Sequence, residues 1–329
     1  MTHGLLKKTK VRVSGLLLAA GCLAGLATVA GFFGAWWWRL DLFSHFRVQY
    51  AAALIAAAAA AAMLRRRAWF AGFVLLCAIN VALALPLYIG TGRARLPEGT
   101  PGARGRILML NVHTSCLAHD RVLALVREHD PDVVVLAEVN ARWIAALSEL
   151  AATHTNTVLC PAEDNFGLAL YSRLPMRDGR EIILGQAGVS SIEAQCELGG
   201  RPFRILATHT LPPVSRDWAA LRNQQLEEAA EYCRRVTAPM VLVGDLNATP
   251  WSHGFRLLRD GSGLRDSAPG FGLQASWPAH NVLMRIPIDH CLVSDCVRVL
   301  GRRIGRATGS DHLPVILDFD LAGAAKGGP

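Results

Sequence analysis

The sequence predicts an α/β domain of two β-sheets packed face to face with helices outside, preceded by three transmembrane helices. Three observations lead there. Residues 1–103 hold three long apolar runs and only two acids, Asp41 and Glu98. After residue 106, short apolar runs bounded by Gly, Pro and Asn alternate with stretches of helical spacing, the pattern of strand pairs mixed with helices. Most of these runs end in a polar residue, which sets such residues at strand ends.

Composition supports the same division. The 329 residues are 52% hydrophobic, which is high for a soluble protein. Lys and Arg outnumber acids 11 to 2 in residues 1–103 but stand 23 against 24 in 104–329, so the net charge of +8 belongs to the first part. A nucleic-acid-binding domain usually displays a basic excess to meet phosphates, and 104–329 shows none overall. The eight cysteines have no CxxC or Cys/His zinc spacing.

The first span is expected over about 11–38. It ends in Trp36-Trp37-Trp38, suited to a membrane interface. A cleaved signal peptide competes, since Lys7, Lys8, Lys10 and Arg12 resemble its basic start, but the run is long for one and two more follow. The second, 48–64, is mostly alanine and stops at Arg65-Arg66-Arg67; the third, 68–89, contains Asn80 and Pro86. Both basic clusters fall on one side of three spans, which the positive-inside rule makes the cytoplasm. The chain then continues outside the cell's inner membrane. The division expected is a membrane anchor over 1–90, a Gly/Pro/Arg-rich linker over 91–105, a globular domain over 106–320 and a tail over 321–329.

Within the globular part, Ile107–Leu110 reads as a strand ending at Asn111, His119–His129 as a helix, and Val133–Leu136 as a buried strand before Glu138. Strands follow over 167–171 and 181–184, then 192–198 and 203–207 around the hairpin signal Gly199-Gly200. A helix over 218–236 precedes the strand Val241–Val243, and 288–293 and 315–319 complete the set. After Val243 come Gly244-Asp245-Leu246-Asn247, which read either as an Asx-turn or, if the chain stays extended, as two side chains entering one pocket.

Asn111, Glu138, His209, Asp245, Asn247, Asp289, Asp311 and His312 all lie at strand ends. Each alone is an ordinary cap or turn residue. Together they suit metal-assisted phosphoester hydrolysis: a hard divalent cation takes oxygen ligands and keeps waters, and a His held by an Asp serves phosphate chemistry. His113, two residues after Asn111, reads as a polar residue at the surface or as lining the pocket, Trp277-Pro278 as either a groove wall or loop packing, Arg173 as closing a turn and Tyr171 as core.

The ordered set Asn111, Glu138, Thr208-His209, Gly244-Asp-Leu-Asn247, Ile288-Asp289-His290 and Ser310-Asp-His312 resembles the endonuclease/exonuclease/phosphatase superfamily, of DNase I-like fold, over about 104–320. The resemblance implies a four-layer α/β sandwich with its site at one edge of the sheets. It implies Glu138 as principal ligand of Mg²⁺, or Mn²⁺, with Asn111 and Asp311 assisting. Asp245 would orient or deprotonate the attacking water, Asn247 and His209 would hold phosphate oxygens, and His312 paired with Asp289 would stabilise the transition state.

Fold does not choose a substrate. A domain tethered near a bilayer, close to neutral and facing outward, favours a phosphorylated lipid, either a phosphate or a pyrophosphate. Bacterial proteins with three spans and an outward domain of this type look similar. A membrane-anchored nuclease and a catalytically inactive binding module are the alternatives.

Overall fold

The computed structural model describes residues 12–89 and 103–321. The predicted basic start at Lys7, Lys8 and Lys10, most of the predicted linker and the tail after residue 321 lie outside the described residues. The chain divides into two compact units, 1–84 and 85–329.

The first unit contains α1 (Val13–Ala30), α2 (Trp38–Leu42), α3 (Arg47–Met63) and α4 (Arg67–Ala84). Two helical stretches are long and apolar enough to cross a membrane, Val13–Phe33 and Arg67–Ile89, whereas Arg47–Met63 is shorter. At about 1.5 Å per residue an isolated helix of that length falls short of a hydrocarbon core of roughly 30 Å. Three helices therefore stand where three spans were predicted, and two have the length of one. Their apolar side chains are largely exposed, as at Leu16 (58%), Leu23 (68%) and Leu75 (64%), unlike those of a soluble core helix. Asn80 is fully buried and donates to Thr28 Oγ1 at 2.8 Å. A polar side chain in an apolar bundle thus has its partner on a neighbouring helix.

The second unit begins with the short α5 (Pro86–Ile89) and carries two six-stranded sheets. The first, in the order β11-β12-β1-β2-β4-β3, uses β1 (Ala103–Asn111), β2 (Val133–Ala137), β3 (Asn156–Cys160), β4 (Leu168–Ser172), β11 (Val297–Ile304) and β12 (Val315–Leu321). The second, β5-β6-β7-β8-β10-β9, uses β5 (Met176–Ile183), β6 (Ser190–Leu198), β7 (Arg201–Thr208), β8 (Met240–Asp245), β9 (Arg265–Asp266) and β10 (Asp289–Val293). Alternation along the strands builds the layers. Ile107, Met109, Val133 and Val135 meet Ile205, Ala207, Val241 and Val243 in the core between the sheets. The intervening Leu108, Leu110, Val134 and Leu136 turn the other way, onto α6 (His119–His129) and α7 (Ala141–Ala146). Leu206 and Leu242 likewise face α8 (Arg216–Arg235) and α9 (His253–Ser262). Helices, sheet, sheet, helices is the four-layer sandwich.

Gly199 and Gly200 both have positive φ, 58° and 77°, and join Leu198 to Arg201 in a two-residue hairpin. β1 starts four residues before its predicted beginning, inside the predicted linker, because Ala103, Arg104 and Gly105 pair with Leu321, Asp320 and Phe319 of β12. The short β3, the glycine-containing α9 and the arginine-rich β11 were not foreseen. β11 is an edge strand with a bulge between Val299 and Gly301; Arg298 and Arg303 pair with Asp320 and Asp318 of β12, and the buried Arg302 donates to the Asp289 carbonyl at 3.0 Å.

Candidate active site

Strand direction brings the polar ends together. β1 and β2 run parallel with Asn111 opposite Ala137, and β7 and β8 run parallel with Ala207 opposite Val243, so each pair leaves its sheet at the carboxyl edge. The two pairs meet across the core where Asn111 Nδ2 donates to Glu138 Oε1 at 2.8 Å and to Asp245 Oδ2 at 3.1 Å. β10 enters antiparallel with Asp289 opposite Asp245. The loop before β12 closes the edge: Ser310 Oγ donates to the Asn111 carbonyl at 2.6 Å and accepts from the His312 amide at 3.0 Å.

All eight residues singled out from the sequence converge here. Asn111, His209, Asp245, Asp289 and His312 form a buried floor. Glu138, Asn247 and Asp311 are partly exposed above it. Glu138 and Asn247 have φ of 62° and 46°, and His113 beside them 60°. Left-handed backbone at non-glycine residues costs of order 1 kcal/mol each and gathers at functional sites. Asn247 also resolves the two readings of its stretch. The chain does not stay extended; Asp245 Oδ1 accepts from the Asn247 amide at 2.9 Å, an Asx-turn. That turn still delivers the carboxamide to the site, where Nδ2 donates to the Thr210 carbonyl at 2.8 Å and stands 3.5 Å from His209 Nε2.

The electrostatics divide the carboxylates. His312 Nδ1 bonds Asp289 Oδ2 at 2.9 Å, while its Nε2 faces Asp245 Oδ2 at 3.6 Å. His209 Nε2 is 3.7 Å from the same oxygen. Burial and then the neighbouring Asp289 charge push Asp245 up to about 6, against the pull of the two histidines. Burial pushes Asp289 the same way, but the His312 charge and hydrogen bond outweigh it and hold Asp289 low. Burial opposes a charge on His312, yet Asp289 and Asp245 together raise it to about 10. The ion pair is thus His312⁺ with Asp289⁻, and Asp245 is the carboxylate poised to exchange a proton near neutrality.

Two places suit a cation differently. Ligand atoms of Asp245, Asp289 and His312 all lie within 4.8 Å of one another. A cation among them would displace the hydrogen bond from His312 to Asp289, and the position is buried, whereas a hard divalent ion keeps several waters. The half-exposed carboxylates of Glu138 and Asp311 fit it better. Glu138 is held by Asn111 through Oε1 and by the Thr114 amide through Oε2 at 3.3 Å. Asn111 presents Nδ2 to it because Oδ1 accepts from the His113 amide at 3.0 Å; turning the amide over would offer the oxygen instead.

Several site residues were missed or read otherwise. His113 is half-exposed with Nδ1 3.6 Å from Asp311, on the site's rim. Trp277 donates through Nε1 to Asp311 Oδ2 at 2.9 Å and its ring lies 6.4 Å from that of His312, so it walls the groove. The Phe166 ring lies 5.3 Å from that of His209, and Trp218 packs edge-on against Phe166. Buried Gln225 on α8 donates to Thr208 Oγ1 and the His209 carbonyl. No local motif marks Phe166, Trp218 and Gln225, because a loop and helix α8 distant in sequence from the other site residues bring them in.

Gly244 admits no side chain. A Cβ there would stand 1.7 Å from the Thr208 carbonyl oxygen, which belongs to a neighbouring strand and cannot yield. Gly244→Ala is expected to destabilise the second unit by ~3 kcal/mol or more and to displace Asp245, seen as a lowered melting temperature together with lost activity. A variant with unchanged melting would show that the two central strands are less rigid than this packing requires.

The model of the Endonuclease/Exonuclease/phosphatase family matches residues 110–312. No curated protein matches the chain. Among solved structures, an endonuclease/exonuclease/phosphatase from Beutenbergia cavernae is similar at 21% identity and TM-score 0.54, covering 68% of this chain and 72% of its own. The human Nocturnin catalytic domain with bound sulfate is similar at 18% identity and TM-score 0.56, covering 68% and 97%. D. rerio TDP2 complexed with single-strand DNA product is similar at 15% and 0.55, covering 66% and 99%. At such identities these likenesses speak for the fold.

Proposed function

The chain belongs to the endonuclease/exonuclease/phosphatase family, and from that premise we propose a membrane-anchored phosphoester hydrolase, dependent on Mg²⁺ or Mn²⁺, that acts on a lipid phosphate or pyrophosphate. The carrying observation is the arrangement of Asp245 against the His312–Asp289 pair, with Glu138 and Asp311 open to solvent beside it.

In this reading Glu138 is the main ligand of the cation, assisted by Asp311 and Asn111. When bound, the cation neutralises phosphate charge and polarises the phosphoryl group. The chain's own residues do the rest. Asp245 takes a proton from the attacking water. His312, kept protonated by Asp289, donates from Nε2 to the phosphoryl oxygens as charge develops there. Asn247 and His209 hold the remaining phosphate oxygens, and the Thr210 carbonyl fixes the carboxamide's orientation.

A lipid substrate is supported by the two apolar helices, whose side chains are mostly exposed, and by the absence of basic excess in residues 104–329. The Lys/Arg clusters of the sequence favour a bacterial inner-membrane protein with a cytoplasmic N-terminus, and this reading places the catalytic domain outside by taking α3 as a third crossing beside the two longer apolar stretches.

The test is a panel of lipid phosphates and pyrophosphates offered in detergent to the purified full chain, with free phosphate as readout. Release that stops with EDTA, returns with Mg²⁺ and disappears in Glu138→Ala and His312→Ala is the expected result. Nicking of plasmid DNA in preference to all lipids would replace this substrate by nucleic acid.

A further inference from the structure

Among the described residues from 103 onward, the exposed large hydrophobic side chains are unevenly placed. Leu159 and Ile183 lie on edge strands, and the other six, Leu117, Val214, Trp218, Val282, Leu283 and Met284, lie on or just after loops that leave the active site. Leu117 follows β1 and Asn111. Val214 and Trp218 follow β7 and His209. The last three form the tip of the connection from β9 to β10, which enters the site at Asp289. Isolated exposed apolar residues are ordinary, but Val282, Leu283 and Met284 are consecutive and exposed by 73%, 82% and 46%.

That tip is held in place. Trp277 and Ile286 bond each other's backbone at its base, and the Met284 amide donates to the Asn281 carbonyl at 3.2 Å. The base is joined to the site, since the Ala279 amide donates to the Asp311 carbonyl at 2.7 Å and the Trp277 indole to the Asp311 carboxylate. The other end of the same connection is tied to α5, the short helix that opens this unit and follows α4 directly in the sequence. The amides of Gly270 and Gly272 both donate to the Leu87 carbonyl, at 2.9 and 2.7 Å. One loop thus runs from a contact with α5 to an apolar tip beside the candidate active site.

We propose that this rim, with Val282-Leu283-Met284 at its centre, docks on the lipid bilayer and holds the mouth of the active site against the membrane surface. The inference rests on the reading of a membrane-anchored lipid-phosphate hydrolase. A bilayer fits because the loop is bonded to α5, which follows the apolar α4 directly in the sequence, and its tip offers side chains that would enter the acyl boundary. Substrate then passes its head group into the site without its tail entering water.

The test uses the full chain in phosphatidylethanolamine–phosphatidylglycerol vesicles, with the half-exposed Cys22, Cys77, Cys116 and Cys296 replaced by alanine. A nitrobenzoxadiazole label at Leu283→Cys is compared with one at Ile183→Cys. Quenching by lipid-borne nitroxide about threefold stronger at 283 supports the docking. Equal quenching overturns it, as does a label at 283 that is shielded only when copies cross-link, which would assign the rim to a second copy. Replacing Val282, Leu283 and Met284 by serine supplies the second arm. Its rate on a vesicle-borne lipid phosphate, divided by its rate on a soluble activated phosphodiester, is expected to fall about tenfold from wild type. Quenching without turnover of any lipid keeps the docking and removes the lipid substrate. Lipid turnover with an unchanged ratio and equal quenching keeps the substrate and removes the docking.

Discussion

Glu138→Asn is expected to lower turnover by about 10³-fold, ~4 kcal/mol of barrier, while leaving the melting temperature unchanged or slightly raised. The loss follows from charge and reach: asparagine is neutral and one methylene shorter, so the cation site loses its main ligand. The stability follows from the backbone. Glu138 sits at φ 62°, where asparagine is far more at ease than glutamate, and relief of about 1 kcal/mol offsets the lost hydrogen bonds from Asn111 and Thr114. Asn111 retains its bond to Asp245, so the floor of the site stays in place. Glu138→Ala removes the same carboxylate without easing the backbone and is expected to melt lower than Glu138→Asn. Phosphate release across a Mg²⁺ titration and thermal unfolding in detergent measure both effects. Activity within tenfold of wild type at saturating Mg²⁺ would take Glu138 out of the cation site.

The same residue shows where a sequence stops being readable. That Glu138 ends a strand is legible, because Val133 to Ala137 is an unbroken apolar run, and the same logic located Asn111, His209, Asp245 and Asp289. Unbroken apolar runs, helical spacing and the Gly199-Gly200 turn are local signals, so the central strands and one helix of each outer layer, α6 and α8, were visible. What the residues do to one another is not local. Asn111 is a donor toward two carboxylates only because the His113 amide occupies its oxygen, and Trp277 reaches Asp311 across 34 positions. β11 was hidden because its three arginines find Asp320, the Asp289 carbonyl and Asp318 in the folded chain. The middle apolar run, read as a span, is a helix of 17 residues: alanine supplies helix propensity, but the helix is shorter than the two stretches long enough to cross.

Asp289→Asn is expected to cost about 10³-fold at the pH optimum and to move both limbs of the pH–rate profile toward acid. Activity requires Asp245 ionised, to accept the water's proton, and His312 protonated, to donate to the phosphate. In the wild type the rate therefore falls as pH drops through about 6, where Asp245 protonates, and falls again as pH rises through about 10, where His312 loses its proton. Asp289 sets both edges. Its charge is the larger of the two attractions that hold the His312 proton against burial, so removing it lowers His312 and brings the alkaline limb down. It is also the like charge that, after burial, raises Asp245, so the acid limb moves down as well. Asparagine preserves the shape and leaves an oxygen for His312 Nδ1, which separates loss of charge from collapse of the dyad. Rates are compared at one saturating cation concentration, so that the ion's field is common to both enzymes. An alkaline limb that stays near 10 in the variant would mean that Asp289 only positions the ring, and an unmoved acid limb would give the proton-accepting role to a group other than Asp245.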